Sequence, residues 1–133
     1  MILVDTNVLL DVFQADPRWA DWSERQLEAA GYRAKLCINP VVYAETSVTF
    51  REIEVFETAL KTLDLAVVEI PREALFLAGK AFLRYRRRGG SRAGVLPDFL
   101  IGAHAAVAGV PVLTRDTGRY RTYFPSVELI GIP

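Results

Sequence analysis

The sequence predicts an α/β fold, with a central parallel sheet of about five strands and helices on both faces. Two observations lead there. Short apolar runs of strand length alternate along the chain with longer segments of helical period. No linker, repeat or low-complexity tract interrupts that alternation, so residues 1–133 read as one domain. At 133 residues and 51% hydrophobic, the chain can build a core without disulfides or a structural metal.

Residues 2–5 form the first strand, an apolar run that ends on Asp5. Thr6–Phe13 follows as a helix. Pro17 opens a second helix, with Trp19, Trp22, Leu27 and Ala30 on a core-facing side and Gly31 as its stop. Leu36–Ile38 is the second strand and residues 40–48 the helix after it. Ile53, Phe56, Leu60 and Leu63 make an amphipathic stripe, and residues 65–69 a third strand. Pro71 starts a long helix that turns Leu75, Phe76, Gly79, Phe82 and Leu83 inward and stops before Gly89-Gly90. Residues 97–108 are apolar nearly all round and read as a buried helix. Residues 110–114 and 127–130 complete the sheet. In such sheets ligands bind beyond the carboxyl ends of the strands, where strand order reverses.

The net charge of zero conceals two unlike halves. Residues 1–66 hold 6 Lys+Arg against 11 Asp+Glu, while residues 67–133 hold 10 against 5. Such asymmetry points to a charged partner. Thirteen of the basic residues are Arg, whose planar fork matches phosphate and carboxylate oxygens. The single cysteine, Cys37, lies in an apolar run and reads as a small core residue of a reducing compartment. The apolar start reaches Asp5 too soon for a secretion signal, and no run approaches the ~20 residues of a membrane span. A cytoplasmic protein that avoids membranes is expected.

Four acids stand where the chemistry should be. Asp5 ends the first strand, Glu45 lies on the helix after the second, Asp98 opens the buried helix, and Asp116 follows the fourth strand. Each alone has an ordinary structural explanation. Asp5 can cap a helix, Asp98 suits a helix N-terminus, Asp116-Thr117-Gly118 is turn-like, and Glu45 can be a solvated helix residue. Together they argue otherwise, because four separate segments bring acids to one rim. Clustered carboxylates repel one another unless a cation neutralises them. Mg²⁺ and Mn²⁺ prefer such oxygen ligands, and one or two ions would prepare a phosphodiester for hydrolysis.

These residues also resemble a known family. Val4-Asp5-Thr6-Asn7-Val8-Leu9-Leu10, Ala44-Glu45, Leu96-Pro97-Asp98-Phe99-Leu100-Ile101-Gly102-Ala103 and Leu113-Thr114-Arg115-Asp116 are similar to PIN domains. More narrowly, they resemble the VapC-type toxin ribonucleases of prokaryotic toxin–antitoxin pairs. The resemblance runs the whole chain, including Arg119-Tyr120-Arg121 and Phe124-Pro125. Asp5, Glu45, Asp98 and Asp116 fall on the family's acidic positions, and Thr6, Asn7 and Thr114 on its secondary polar positions. It implies Mg²⁺- or Mn²⁺-dependent cleavage of RNA, a homodimer, and inhibition by a small antitoxin. Asp5 and Asp98 would be the principal metal ligands, with Glu45 and Asp116 completing the set.

The segment 80–92 carries Lys80, Arg84, Arg86, Arg87, Arg88 and Arg92 without an acid. Cations suit a helix C-terminus, yet this run also leads into the loop before Asp98. Arg86, Arg87, Arg88 and Arg115 are therefore candidate contacts for RNA or for an antitoxin. Arg119, Arg121, Tyr120 and Tyr123 surround the last acid, where they can stack on unpaired bases or simply pack. His104, six residues past Asp98, reads as a structural histidine. Two other functions compete. An aspartyl-nucleophile phosphatase would want an acid where Asn7 stands and a well-placed Lys, which Lys80 is not. A non-catalytic RNA- or protein-binding module would not need four intact acids. With the four acids held by divalent ions, twelve remain against sixteen basic residues, and the working surface turns positive.

Overall fold

Apolar runs at residues 2–4 and 36–38 pair directly in the computed structural model, which describes residues 1–91 and 95–131. The strands are β1 (Ile2–Val4), β2 (Leu36–Ile38), β3 (Leu65–Val67), β4 (Val112–Leu113) and β5 (Leu129–Ile130). They lie in the order β3-β2-β1-β4-β5, and every pairing is parallel. Every residue of β1, β2 and β4 is buried, so both faces of the sheet are covered. The order reverses at β1, which lies between β2 and β4 and fixes the ligand crevice at their carboxyl ends.

The helices are α1 (Thr6–Phe13), α2 (Ala20–Arg33), α3 (Pro40–Ser47), α4 (Ile53–Thr62), α5 (Arg72–Arg87), α6 (Leu96–Ala108) and α7 (Gly118–Tyr123). Right-handed crossovers assign α1 to α4 to one face and α5 to α7 to the other. Accordingly α1 packs on α2 and α3, while α6 packs on α5 and α7. One apolar cluster joins the sheet to Val8, Leu9, Leu27, Phe56, Leu60 and Ile101. A second fills the space between α5, α6 and α7 around Phe99. Gly102 lets α7's end approach α6, because a Cβ there would stand 2.3 Å from the Phe124 ring.

Several expectations need correction. The second helix begins at Ala20 and not at Pro17, because the Asp16 carboxylate accepts from the N–H groups of Arg18 and Trp19 and holds Pro17 in a turn. It also runs through Gly31 and ends where Ala34 extends toward β2. Trp19 and Trp22 are half-buried and meet edge to face at 5.8 Å, outside both apolar clusters. The predicted stripe Ile53, Phe56, Leu60, Leu63 buries only Phe56 and Leu60 fully, with Ile53 exposed. The long helix turns a different face inward. Ala74, Ala78 and Ala81 are buried, whereas Leu75, Phe76 and Leu83 are exposed and Phe82 is half-buried. Small side chains let α5 approach Phe99 and Ala103 of α6 closely, and that contact decided the rotation. The strands β3, β4 and β5 are shorter than expected, and α7 is a helix absent from the expected elements. Cys37 is buried as anticipated, its thiol 3.4 Å from the Ile2 carbonyl. Among the described residues, no helix is long and apolar enough to cross a membrane.

Candidate active site

Asp5 leaves β1 at the switch point, its backbone N–H bonded to the Leu113 carbonyl of β4. It occupies the N-cap position of α1, yet its side chain makes no capping bond. Its Oδ2 instead accepts from the Thr114 hydroxyl at 2.8 Å and the Tyr120 hydroxyl at 2.8 Å, with Asn7 Nδ2 at 3.5 Å. The residue is only 5% exposed. Burial pushes its carboxyl up to about 6, against the lowering pull of Tyr120 and Thr114, and the charge of Asp98 adds to the rise. An acid buried this deeply is costly to ionise without a cation nearby.

The other three acids come from separate elements. Glu45, half-buried on α3, accepts from the Thr6 hydroxyl at 2.7 Å. Its helix is set by Asn39, whose Oδ1 accepts from the N–H groups of Val41 and Val42, with Pro40 in the first turn. Asp98 sits in the first turn of α6, where Pro97 occupies a position that needs no donor. Burial raises its carboxyl, Arg119 opposes the rise, and the charges of Glu45 and Asp116 add to it. Asp98 thus lies in the field of all three other acids. Asp116 is exposed, and its Oδ1 accepts from the Gly118 N–H at 3.4 Å as α7 begins.

The small polar residues bind the acids to each other. Thr114 donates to Asp5 and accepts from the Asp116 N–H at 3.1 Å. Asn7 reaches the Thr114 hydroxyl with Nδ2 at 3.3 Å, while its Oδ1 accepts from the Arg115 N–H at 3.4 Å. Gly131 is required beside them, because a Cβ there would fall 1.7 Å from the Thr114 carbonyl oxygen. Among the described residues, no three Asp, Glu, His or Cys side chains stand close enough, as placed, to hold an ion. The donor set is nonetheless all oxygen and lacks His or Cys, the chemistry that suits Mg²⁺ or Mn²⁺. A cation already stands on Asp98, namely the guanidinium of Arg119 at 2.8 Å.

Two donors to the acids escaped the sequence reading, and both come from α7. Tyr120 is 3% exposed, which removes it from base stacking and commits it to Asp5. Arg119 bonds Asp98 and lies over the Tyr85 ring at 5.7 Å. Their signal was faint. A six-residue helix with no apolar period follows Asp116, and only its first-turn bond to the Asp116 carboxylate betrays it.

The arginines divide. The basic end of α5 stands against α7, with Arg84 and Arg88 over the Tyr123 ring at 5.5 and 5.8 Å. Arg87 is exposed and Arg86 half-buried in the last turn, Arg88 caps it, and Gly89 ends it at φ +85°. Arg92 lies outside the described residues. Arg115 is engaged elsewhere. Its Nε and Nη2 grip the two oxygens of Asp11 at 2.7 and 2.9 Å, and it rests over the Trp19 ring. Asp11 is itself 3% exposed and accepts from the Ser23 hydroxyl. His104 is buried behind the site, its Nδ1 3.2 Å from Asn39 Nδ2. A cleft of about 580 Å³ includes Glu24, Glu28, Lys35 and Asp64 at the amino ends of β2 and β3, away from the acids.

A five-stranded parallel sheet in the order β3-β2-β1-β4-β5, with helices between its strands, defines an α/β protein. The PIN domain family model matches residues 2–125, and the chain belongs to that family. Solved structures agree on the fold. VapBC2 from Rickettsia felis, bound to a DNA fragment from its promoter, superposes with a TM-score of 0.73 at 19% identity, covering 100% of both chains. VapBC-1 from nontypeable Haemophilus influenzae gives 0.71 at 16% identity over 98% of each chain. A toxin–antitoxin complex from Klebsiella pneumoniae gives 0.66 at 21% identity, covering 99% of this chain and 100% of the other. No curated protein matches the chain.

Proposed function

We propose that this protein is a divalent-metal-dependent endoribonuclease, the toxin of a VapBC-type toxin–antitoxin pair. What supports the reading is that Asp5, Glu45, Asp98 and Asp116 come from four segments, that Thr6 and Thr114 link three of them by hydrogen bonds, and that Asp5 is buried. Asp5 and Asp98 would be the principal ligands of one or two Mg²⁺ or Mn²⁺ ions, and Glu45 and Asp116 would complete the set. Bound there, the ions supply charge neutralisation and activation of water for phosphodiester hydrolysis.

The chain's own part is positional. Thr114 and Tyr120 fix the Asp5 carboxylate from two directions, and Thr6 fixes Glu45. Asn7 ties Thr114 to the loop that carries Asp116. Arg86, Arg87 and Arg88 supply cations for neighbouring phosphates of the RNA or for acidic groups of a small antitoxin. The similar toxin–antitoxin complexes support an antitoxin partner. A homodimer has an exposed apolar stripe available on α5, formed by Leu75, Phe76 and Leu83. The cytoplasm, where RNA is available, is the compartment this activity requires. A phosphatase is disfavoured because Asp5 is tied up by hydroxyl donors and Lys80 lies over the Phe76 ring on α5.

The test is direct. Antitoxin-free protein is incubated with RNA in Mg²⁺ or Mn²⁺, and again with EDTA. EDTA-sensitive cutting is expected, and tight binding without cutting would favour a non-catalytic module. Asp5→Ala and Asp98→Ala should retain the folded circular dichroism spectrum. Changes around metal ligands cost about 10–100-fold, so loss of a ligand should exceed ~100-fold. Cleavage at the wild-type rate by either variant would overturn the assignment.

A further inference from the structure

Besides the exposed Arg33–Glu128 pair, Arg115 and Arg119 each meet an acid, and they do so differently. Arg115 grips Asp11 with two nitrogens, and Asp11 is 3% exposed. Arg119 touches Asp98 through Nη1 alone, at 2.8 Å, with side chains 40% and 32% exposed. The first pair is bidentate and anchored on a buried acid. The second is a single contact between two part-exposed side chains. Arg119 has somewhere to go, since its guanidinium already lies over the Tyr85 ring at 5.7 Å.

We propose that Arg119 is a built-in competitor of the divalent ion, holding Asp98 while the site is metal-free and yielding it when an ion binds. The inference rests on the metal-dependent reading above and assigns this residue a part in it. Thr6 beside Asp5 holds Glu45, and Thr114 links Asp5 to Asp116, so negative charge gathers near the Arg119–Asp98 contact. Arg119 offsets one unit of that charge. A divalent ion offers two and displaces it. The displaced fork remains on the rim, where an anionic phosphate of the substrate can meet it. Two features of α7 are thus linked, Tyr120 as the fixed partner of Asp5 and Arg119 as the exchangeable partner of Asp98.

Competition of this kind weakens apparent ion affinity by the fraction of molecules in which the acid is free. Calorimetric titration of Mn²⁺ into the antitoxin-free chain, at fixed pH and ionic strength, reads that fraction without any cleavage assay. Arg119→Ala and Arg119→Gln should bind Mn²⁺ roughly five- to tenfold more tightly than wild type. Arg121→Ala removes the same charge from the same helix and should stay within about twofold. Metal-free melting curves verify that each variant is folded. Unchanged or weaker Mn²⁺ binding by both Arg119 variants overturns the proposal, and so does an equal gain in Arg121→Ala. Mn²⁺ binding by none of the proteins, wild type included, would remove the metal-dependent reading itself and this inference with it.

Discussion

The Tyr120 hydroxyl donates to Asp5 Oδ2 at 2.8 Å, joining residues 115 positions apart. The bond links α7 to the end of β1 inside the protein, since both residues are buried. Replacing Tyr120 with Phe keeps the ring packing and deletes one donor to a buried carboxylate. A hydrogen bond to a charged group contributes about 1–3 kcal/mol, and the variant should lose stability in that range. RNA cleavage should fall by about 10–100-fold, as for other groups that orient metal ligands. Denaturant melts and cleavage rates measure the two effects. Wild-type values for both would show that Asp5 is positioned without Tyr120.

The Arg115–Asp11 pair makes a different prediction, because Asp11 is buried and its other partner is a neutral hydroxyl. Arg115→Ala strands that carboxylate. Breaking a buried pair costs about 3–5 kcal/mol, and the partial exposure of Arg115 reduces this to roughly 2–3. Arg115→Ala combined with Asp11→Ala should recover part of the loss. Urea unfolding of the single and double variants decides, and additive losses would deny the coupling.

How far the sequence could be read follows from what each element depends on. The helix Thr6–Phe13 was legible because Asp5 closes an apolar run and the helical period starts at once. The Asp98 helix was equally plain, with Pro97 at its start and apolar residues all round. Asp5, Asp98 and Asp116 stand out as candidates because each ends a strand, opens a helix or follows a strand, whereas Glu45 lies inside α3. The face of α5 was not legible. Its Leu and Phe stripe and its Ala stripe are both helical in period, and only the proximity of Phe99 selects the small residues. The roles of Tyr120 and Arg119 were hidden for a similar reason. They depend on chain segments that meet only in the folded crevice, so no local spacing announces them.

The basic end of α5 should be felt through salt. Arg86, Arg87 and Arg88 lie in or just past its last turn, and Arg88 stacks on Tyr123 of the helix that carries Tyr120. Neutralising single-stranded phosphates gives a salt slope of about −0.7 per contact. Replacing all three with Ala should weaken RNA binding and flatten the slope by up to roughly 2. Filter binding to a single-stranded RNA across salt concentrations, in EDTA to prevent cleavage, measures it. An unchanged slope would leave these arginines as ordinary cations at a helix C-terminus.

His104 sets the pH response behind the site. The Asn39 Oδ1 accepts from Val41 and Val42 N–H groups, so its amide NH₂ must face His104 Nδ1. That nitrogen therefore accepts, and the neutral ring carries its proton on Nε2. Burial holds the His104 pKa below its usual 6.5. The sign follows. A histidine depressed in the folded state contributes stability that is present above 6.5 and lost as pH falls through the folded value. Protonation would set two donors against each other at the residue that caps α3, the helix carrying Glu45. Asp5 acts oppositely in metal-free protein. Its carboxyl, raised to about 6, favours the folded state in acid and withdraws that stability as pH rises. His104→Gln offers a side-chain oxygen as acceptor and leaves Asp5 untouched, so comparing it with wild type isolates the histidine. Between pH 7.5 and 5.5 the wild-type melting temperature should fall further than that of the variant, by on the order of 3 °C. Parallel curves would mean that His104 does not titrate against the fold in this range.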